Sequence, residues 1–126
     1  MNIALIGSGR MGRMLESLCE KDEGLHVAGF VGRTGYASLA DMEQVDAALD
    51  FSYPGNLESL LACAVAKKIP LVIGTTGLSK EQGEAIRKAS REIPIVWADN
   101  FSTGVTVLCR LARMAAQSLG DDFDIE

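Results

Sequence analysis

The chain has 126 residues and a formal net charge of −5, with 48% hydrophobic and 23% charged residues. A chain of that length is expected to form a single domain, burying about two-thirds of the surface it exposes when unfolded, and its balance excludes both a disordered polymer and a basic nucleic-acid-binding surface. No apolar run approaches the roughly 20 residues of a membrane span, and the opening MNIALIGSGR lacks the basic start and long apolar stretch of a secretory leader, so a cytoplasmic protein is expected.

Ile3 to Ile6 is a short apolar run that meets glycine at once, the pattern of a strand buried on both faces. From Arg10 to Lys21, the apolar residues Met11, Met14, Leu15, Leu18 and Cys19 recur at spacings that predict one helix face. Leu25 to Val31 and Ala47 to Phe51 read as the second and third strands. The segment between them, Gly32 to Asp46, is short for a full crossover helix, and Ser38 to Glu43 predicts a turn or two. Asn56 to Lys68 predicts a helix with Asn56 as its cap, Lys67 and Lys68 at its negative end and Pro70 as its stop. Leu71 to Ile73 is the fourth strand. Ser79 and Gln82 form a reciprocal capping pattern that opens a helix to about Glu92. Ile95 to Trp97 is the fifth strand. The last helix, Thr103 to Leu119, carries a stripe of Leu108, Leu111, Ala112, Ala115 and Leu119, and Gly120 is placed to end it. Phe123 to Glu126 begins a possible sixth strand. Five alternations of strand and helix predict an α/β fold over residues 1–126, a doubly wound parallel sheet of Rossmann type with ligands at the carboxyl ends of its strands. Cys19, Cys63 and Cys109 stand singly within predicted helices and never in a CxxC pair, so buried, reduced thiols are expected, with no disulfide and no metal site.

Gly7-Ser8-Gly9-Arg10-Met11-Gly12 directly follows the first strand and opens the first helix. Gly7 permits a tight turn, Gly9 lets the backbone approach a pyrophosphate, and Gly12 lets helix and strand pack closely. The free amides at the helix start and the helix dipole attract phosphate, so a dinucleotide is the predicted partner, and a plain strand–turn–helix is the alternative. At the end of the second strand, where an NAD site usually carries a carboxylate, stands Val31-Gly32-Arg33-Thr34. Arg33 is therefore expected to pair with the 2′-phosphate of NADPH, with NADH as the second cofactor; the other reading of Arg33 is a solvated loop charge. Arg10 and Arg13 are further phosphate candidates.

Three other strand ends carry polar loops on the same predicted edge: Asp50-Phe51-Ser52-Tyr53-Pro54, Gly74-Thr75-Thr76-Gly77, and Ala98-Asp99-Asn100-Phe101-Ser102-Thr103-Gly104. Small hydroxyl-rich loops beside a dinucleotide suit contacts to its ribose and nicotinamide amide. Each taken alone also reads as turn or cap chemistry.

With Gly-Arg-Met-Gly in the first loop, Asp50-Phe51-Ser52, Gly74 to Gly77, Asn100-Phe101-Ser102 with Gly104-Val105, and the closing Asp122 to Glu126, the chain resembles the dihydrodipicolinate reductases along its whole length. The resemblance implies a reductase of lysine and diaminopimelate biosynthesis that passes hydride from NADPH or NADH to a cyclic dipicolinate precursor. It also implies cofactor contacts at Gly7, Ser8, Gly9, Arg10, Met11, Gly12, Arg33, Gly74, Thr75, Thr76, Ala98, Asp99, Asn100 and Phe101, with Thr76 the residue nearest the substrate. The first loop is one residue shorter than the commoner family pattern. Gly32 also replaces an acidic residue frequent before the arginine, a departure that counts against a preference for NADH more than against one for NADPH. The family's His-His pair, its basic residue and its Ser-Gly-Thr substrate loop have no counterpart in these 126 residues.

Reduction of a cyclic imine needs a proton donor and cations for the substrate carboxylates. The single histidine, His26, is predicted at the start of the second strand and reads as structural. Lys80 and Asp99 lie near the loops but carry no motif. No catalytic residue is assigned; the chain is expected to bind cofactor with little or no turnover, and to be a monomer because the family's oligomer interface belongs to its second domain. The alternatives are a stand-alone NAD(P)-binding module and the cofactor domain of another nicotinamide oxidoreductase.

Overall fold

The computed structural model describes residues 1–120 and 123–124. Five strands, β1 (Asn2–Ile6), β2 (His26–Val31), β3 (Ala47–Asp50), β4 (Leu71–Ile73) and β5 (Ile95–Trp97), form one sheet in the order β2-β1-β3-β4-β5. Every pairing is parallel. The four helices are α1 (Arg10–Cys19), α2 (Leu57–Lys67), α3 (Lys80–Ala89) and α4 (Thr103–Leu119). The chain runs outward in one direction from β1 to β2 and in the other from β3 to β5, so the topological switch lies between β1 and β3.

Strand alternation divides the apolar residues between two faces. Ala4, Ile6, Ala48, Leu71 and Ile73 point toward α2 and α3, where Leu57, Leu60, Leu61, Ala64, Ile86 and Ala89 complete the main core. Ile3, Leu5 and Phe30 form a smaller core on the other face with Leu15, Leu25, Val27, Ala47 and Leu49. α1 lies on this second face, but it buries only Gly12 and Cys19 and half-buries Leu15 and Glu16. Met11, Met14 and Leu18, which the periodicity places on its inner face, are exposed.

The crossover between β2 and β3 contains a single 3₁₀ turn, Leu39–Asp41, held by a reciprocal cap between Ser38 and Asp41. Lys67, at the end of α2, fastens this turn from outside: its Nζ donates to the carbonyls of Ala40 at 2.6 Å and Met42 at 2.8 Å. The lysine therefore serves a neighbouring segment as well as the negative end of its own helix. Asn56 does not cap α2 with its side chain, because Pro54–Asn56 forms a 3₁₀ turn that leads directly into the helix. Ser79 and Gln82 do form the reciprocal cap of α3.

α4 follows the predicted bounds, with Ser102 Oγ accepting from the Val105 amide at 3.2 Å and Gly120 at φ 73° ending it. None of its residues is buried. Leu108, Leu111 and Leu119 are all exposed, and so is Cys109. The expectation of buried thiols holds for Cys19 alone, since Cys63 is half-buried. Of the possible sixth strand at 123–126, residues 123 and 124 are described and are not in a strand, and residues 125–126 lie outside the described residues. No described helix is long and apolar enough to cross a membrane.

Candidate functional site

The loop amides continue the sheet ladder past the strand ends, and this sets the candidate site. The Gly7 amide donates to the Val31 carbonyl at 2.9 Å, Phe51 to Ile6 at 3.1 Å, Gly74 to Asp50 at 2.8 Å and Ala98 to Ile73 at 3.2 Å. All four loops singled out by the sequence are thereby brought to one edge, the carboxyl edge.

In the first loop, Gly7 adopts φ 98°, a backbone state open to glycine, and a side chain there would meet the Phe51 carbonyl at 2.9 Å. A Cβ on Gly12 would stand 2.1 Å from the Gly7 carbonyl oxygen, so this position admits only glycine while helix and loop keep their approach. Gly9 faces open space. It is the N-cap of α1 and supplies no side-chain hydrogen bond, and the first turn carries no acidic residue. α3 and α4 differ in this respect, since Ser79 and Ser102 cap them. The α1 amino terminus is left with open amides and the positive end of its dipole facing outward.

Opposite that terminus, a tight turn ends β2. The Tyr36 amide donates to the Phe30 carbonyl at 2.8 Å and the Gly32 amide to the Tyr36 carbonyl at 3.0 Å, which pushes Arg33 and Thr34 to the tip. Arg33 is exposed and forms no salt bridge among the described residues. A cavity of about 500 Å³ is lined by Gly7, Ser8, Gly9, Arg33, Ser52 and Tyr53, among others. A second cavity of about 380 Å³ shares Val31, Gly32 and Asn56 with it and continues between β2 and α2 over Leu39 and Leu60. Arg13 also lines the first cavity, but its guanidinium stacks 4.6 Å from the Phe30 ring centre and bonds Glu16 at 3.0 Å. Arg10 and Met11 are exposed on the first turn of α1 and line neither cavity.

The later loops divide the remaining candidates. Thr76 is exposed and shares a cavity of about 660 Å³ with Lys80, Arg87, Trp97 and Asp99. Thr75 is turned inward, only 3% exposed, and its hydroxyl donates to Asp50 Oδ2 at 2.8 Å. Asp50 is itself 1% exposed and also accepts from Ser52 Oγ at 2.5 Å and the Ser52 amide at 3.2 Å. Burial raises the Asp50 carboxyl above its ordinary value, and the bonds from Ser52 and Thr75 oppose that rise in part. Asn100 is folded back onto α4: its Oδ1 accepts from the Ser102 amide at 2.8 Å and its Nδ2 donates to Thr106 at 3.3 Å. Phe101 sets its ring edge-on to Phe51, with centres 5.6 Å apart. His26 opens β2 at the amino edge and is exposed. Among the described residues no group of His, Cys, Asp and Glu is placed to hold a metal ion.

The sequence places Asp50, Ser52 and Tyr53 in a candidate polar loop without a role for any one of them, and gives Asn56 only the role of a helix cap. Asp50 had a visible signal, a carboxylate ending an otherwise apolar strand run, Ala47-Ala48-Leu49.

Residues 1–101 match the family described as dihydrodipicolinate reductase, N-terminus. Proteins named 4-hydroxy-tetrahydrodipicolinate reductase are similar over nearly all of the chain. That of Pseudoalteromonas atlantica is 40% identical over 147 residues, which cover 98% of this chain and 55% of the relative. That of Xylella fastidiosa strain 9a5c is 42% identical over 132 residues, covering 94% and 56%. That of Alkaliphilus oremlandii is 42% identical over 130 residues, covering 100% and 52%. The chain thus spans about half the length of the curated relatives it matches.

Proposed function

This chain belongs to the dihydrodipicolinate reductase family through its amino-terminal domain, and we propose that it binds NADPH, with NADH as the weaker ligand, across the carboxyl edge of its sheet. The observation that carries the reading is the α1 amino terminus, uncapped by any side chain and opening onto the cavity that Arg33 enters. The pyrophosphate would lie against Gly7 to Gly12. The adenosine ribose would lie at the end of β2, with Arg33 on its 2′-phosphate and the purine in the cavity over Leu39 and Leu60. Because Gly32 precedes Arg33, no carboxylate stands there to repel that phosphate. The other half of the dinucleotide would cross the ends of β3, β4 and β5, with backbone at Gly74, Thr75 and Ala98 to Phe101 along its path and Thr76 nearest the substrate.

A dinucleotide held there would supply the hydride for reduction of 4-hydroxy-tetrahydrodipicolinate to tetrahydrodipicolinate, with the hydroxyl leaving as water, the activity proposed for the whole protein in lysine and diaminopimelate biosynthesis. The part of this domain is to hold and orient the cofactor. His26 stands at the far edge, a six-residue strand or roughly 16 Å from the loops, so it is not placed to donate a proton to the substrate. The chain alone is accordingly proposed to bind cofactor as a monomer with little or no turnover.

The test is calorimetric titration of the chain with NADPH and NADH beside an Arg33→Ala variant. The expected result is NADPH binding weakened about tenfold, or ~1.4 kcal/mol, with NADH unaffected. A chain that melts cooperatively yet binds neither nucleotide would overturn the reading.

A further inference from the structure

Resting on that reading, we propose that Asp50 is a positioning residue for the nicotinamide half of the dinucleotide, because its buried carboxylate clamps the loops after β3 and β4 into one rim. With the adenosine half proposed at β2 and the pyrophosphate at α1, the reactive half falls to the ends of β3, β4 and β5, and the first two of these are tied together. Asp50 is the last residue of β3 and reaches both loops. Its Oδ1 takes the Ser52 hydroxyl and amide, and its Oδ2 takes the Thr75 hydroxyl from the neighbouring strand's loop. Thr75 Oγ1 in turn accepts from the Ser52 amide at 3.0 Å, closing a ring of bonds between the loops. The Asp50 carbonyl adds a further tie, accepting from the Gly74 amide at 2.8 Å.

The Ser52 amide and the hydroxyls of Ser52 and Thr75 together offer a donor to each oxygen of the carboxylate. The Thr75 hydroxyl gives its proton to Asp50 and is turned inward, so it has no proton left to donate to the cofactor, and Asp50 sets where the Thr75 backbone sits. None of the bonds to Asp50 comes from a cationic side chain among the described residues. Burial holds the carboxyl above its ordinary value. The folded protein therefore takes up that proton at higher pH than the unfolded chain does. The ionised group costs the fold stability at neutral pH, and the cost is relieved as pH falls through the folded pKa. A residue kept only for stability would show the opposite sign. Asparagine fills the same space without the charge, so its loss of function separates from loss of fold.

The experiment titrates the wild-type chain and Asp50→Asn with two probes, NADPH and adenosine 2′,5′-bisphosphate, and records a melting curve for each protein. Expected for the wild type is NADPH binding tighter than the half-ligand. Expected for Asp50→Asn is NADPH weakened about tenfold, the half-ligand within twofold of wild type, and Tm unchanged or raised. Thr75→Val carries the same test if Asp50→Asn does not fold, with Thr75→Ser restoring the wild-type affinity. The clamp is overturned if the substitution leaves NADPH affinity within twofold, or weakens both probes equally with a lowered Tm. It is also overturned if the wild type gains nothing from the nicotinamide half. A wild type that binds neither probe instead contradicts the proposed function itself, which keeps the two failures apart.

Discussion

The helices on the α2–α3 face and the helix α4 are built from the same kind of sequence, yet they stand in opposite surroundings. α2 buries Leu57, Leu60, Leu61 and Ala64, and α3 buries Gly83, Ile86 and Ala89, against the strands. α4 has a comparable apolar stripe and buries nothing among the described residues. On the sheet, the same inequality appears at the face shared by Ile3, Leu5 and Leu49. Val96 of β5, which pairs with Val72 and continues that face, is 57% exposed. Apolar periodicity therefore specifies which side of an element is to be covered, and it is silent on whether a partner is there. Helical structure in α4 is supported locally, by the Ser102 cap, the Thr106 hydroxyl on the Ser102 carbonyl and Gly120 at the end. Tertiary burial, which supplies most helix stability in proteins, is what α2 and α3 have and α4 lacks.

That contrast can be broken in the stability of core truncations, where the largest effect is expected. Leu57 is 0% exposed, and Leu57→Ala should lower the unfolding free energy by about 2–5 kcal/mol in a denaturant titration. Equal losses from Leu57→Ala and from an α4 truncation would mean that α4 is packed after all. The cysteines sharpen the same contrast with a smaller effect. Cys109 on α4 is exposed, while Cys19 is buried and its thiol is raised above the ordinary range, chiefly by that burial and further by Asp22. A thiol-specific chromogenic reagent at neutral pH should modify Cys109 at least about tenfold faster than Cys19, since the thiolate is the reactive form. Comparable rates would contradict the placement of one or the other. The smallest effect belongs to Leu111→Ala, which should change the unfolding free energy by no more than about 0.5 kcal/mol, as exposed substitutions do.

Much of this architecture is legible in the residues because its determinants are local. A four-residue apolar run ending in glycine, a Ser79–Gln82 pair and a terminal Gly120 each act within one turn of chain, and each does in the fold what its chemistry dictates. The glycine loop is legible for the same reason at Gly12, which meets the Gly7 carbonyl within the loop itself, and at Gly7 through its φ of 98°, although the backbone that crowds Gly7 belongs to distant Phe51. What escapes the sequence is set mostly by partners farther along the chain. Met11, Met14 and Leu18 fit a helix face, but α1 turns Gly12, Leu15 and Cys19 inward, because its close approach at Gly12 fixes which side meets the sheet. Asn56 is displaced as a cap by the turn that Pro54 begins. Lys67 finds its acceptors in a segment 25 and 27 residues away. The family resemblance implies a cofactor contact at Thr75, yet its hydroxyl is committed to Asp50, 25 residues earlier. The same distance hides the clamp at the centre of the candidate site.

Nucleotide binding at this edge depends on the open amides of the α1 amino terminus, and the most direct measurement reads those amides themselves. In a two-dimensional ¹H–¹⁵N spectrum of the chain titrated with NADPH, the amides of Ser8 to Gly12, and of Gly32 and Arg33 beside them, should shift most. The amides of residues 107–119 on α4 should stay in place. Saturation of the ligand with no movement at Ser8 to Gly12, or with the largest shifts along α4, would contradict it.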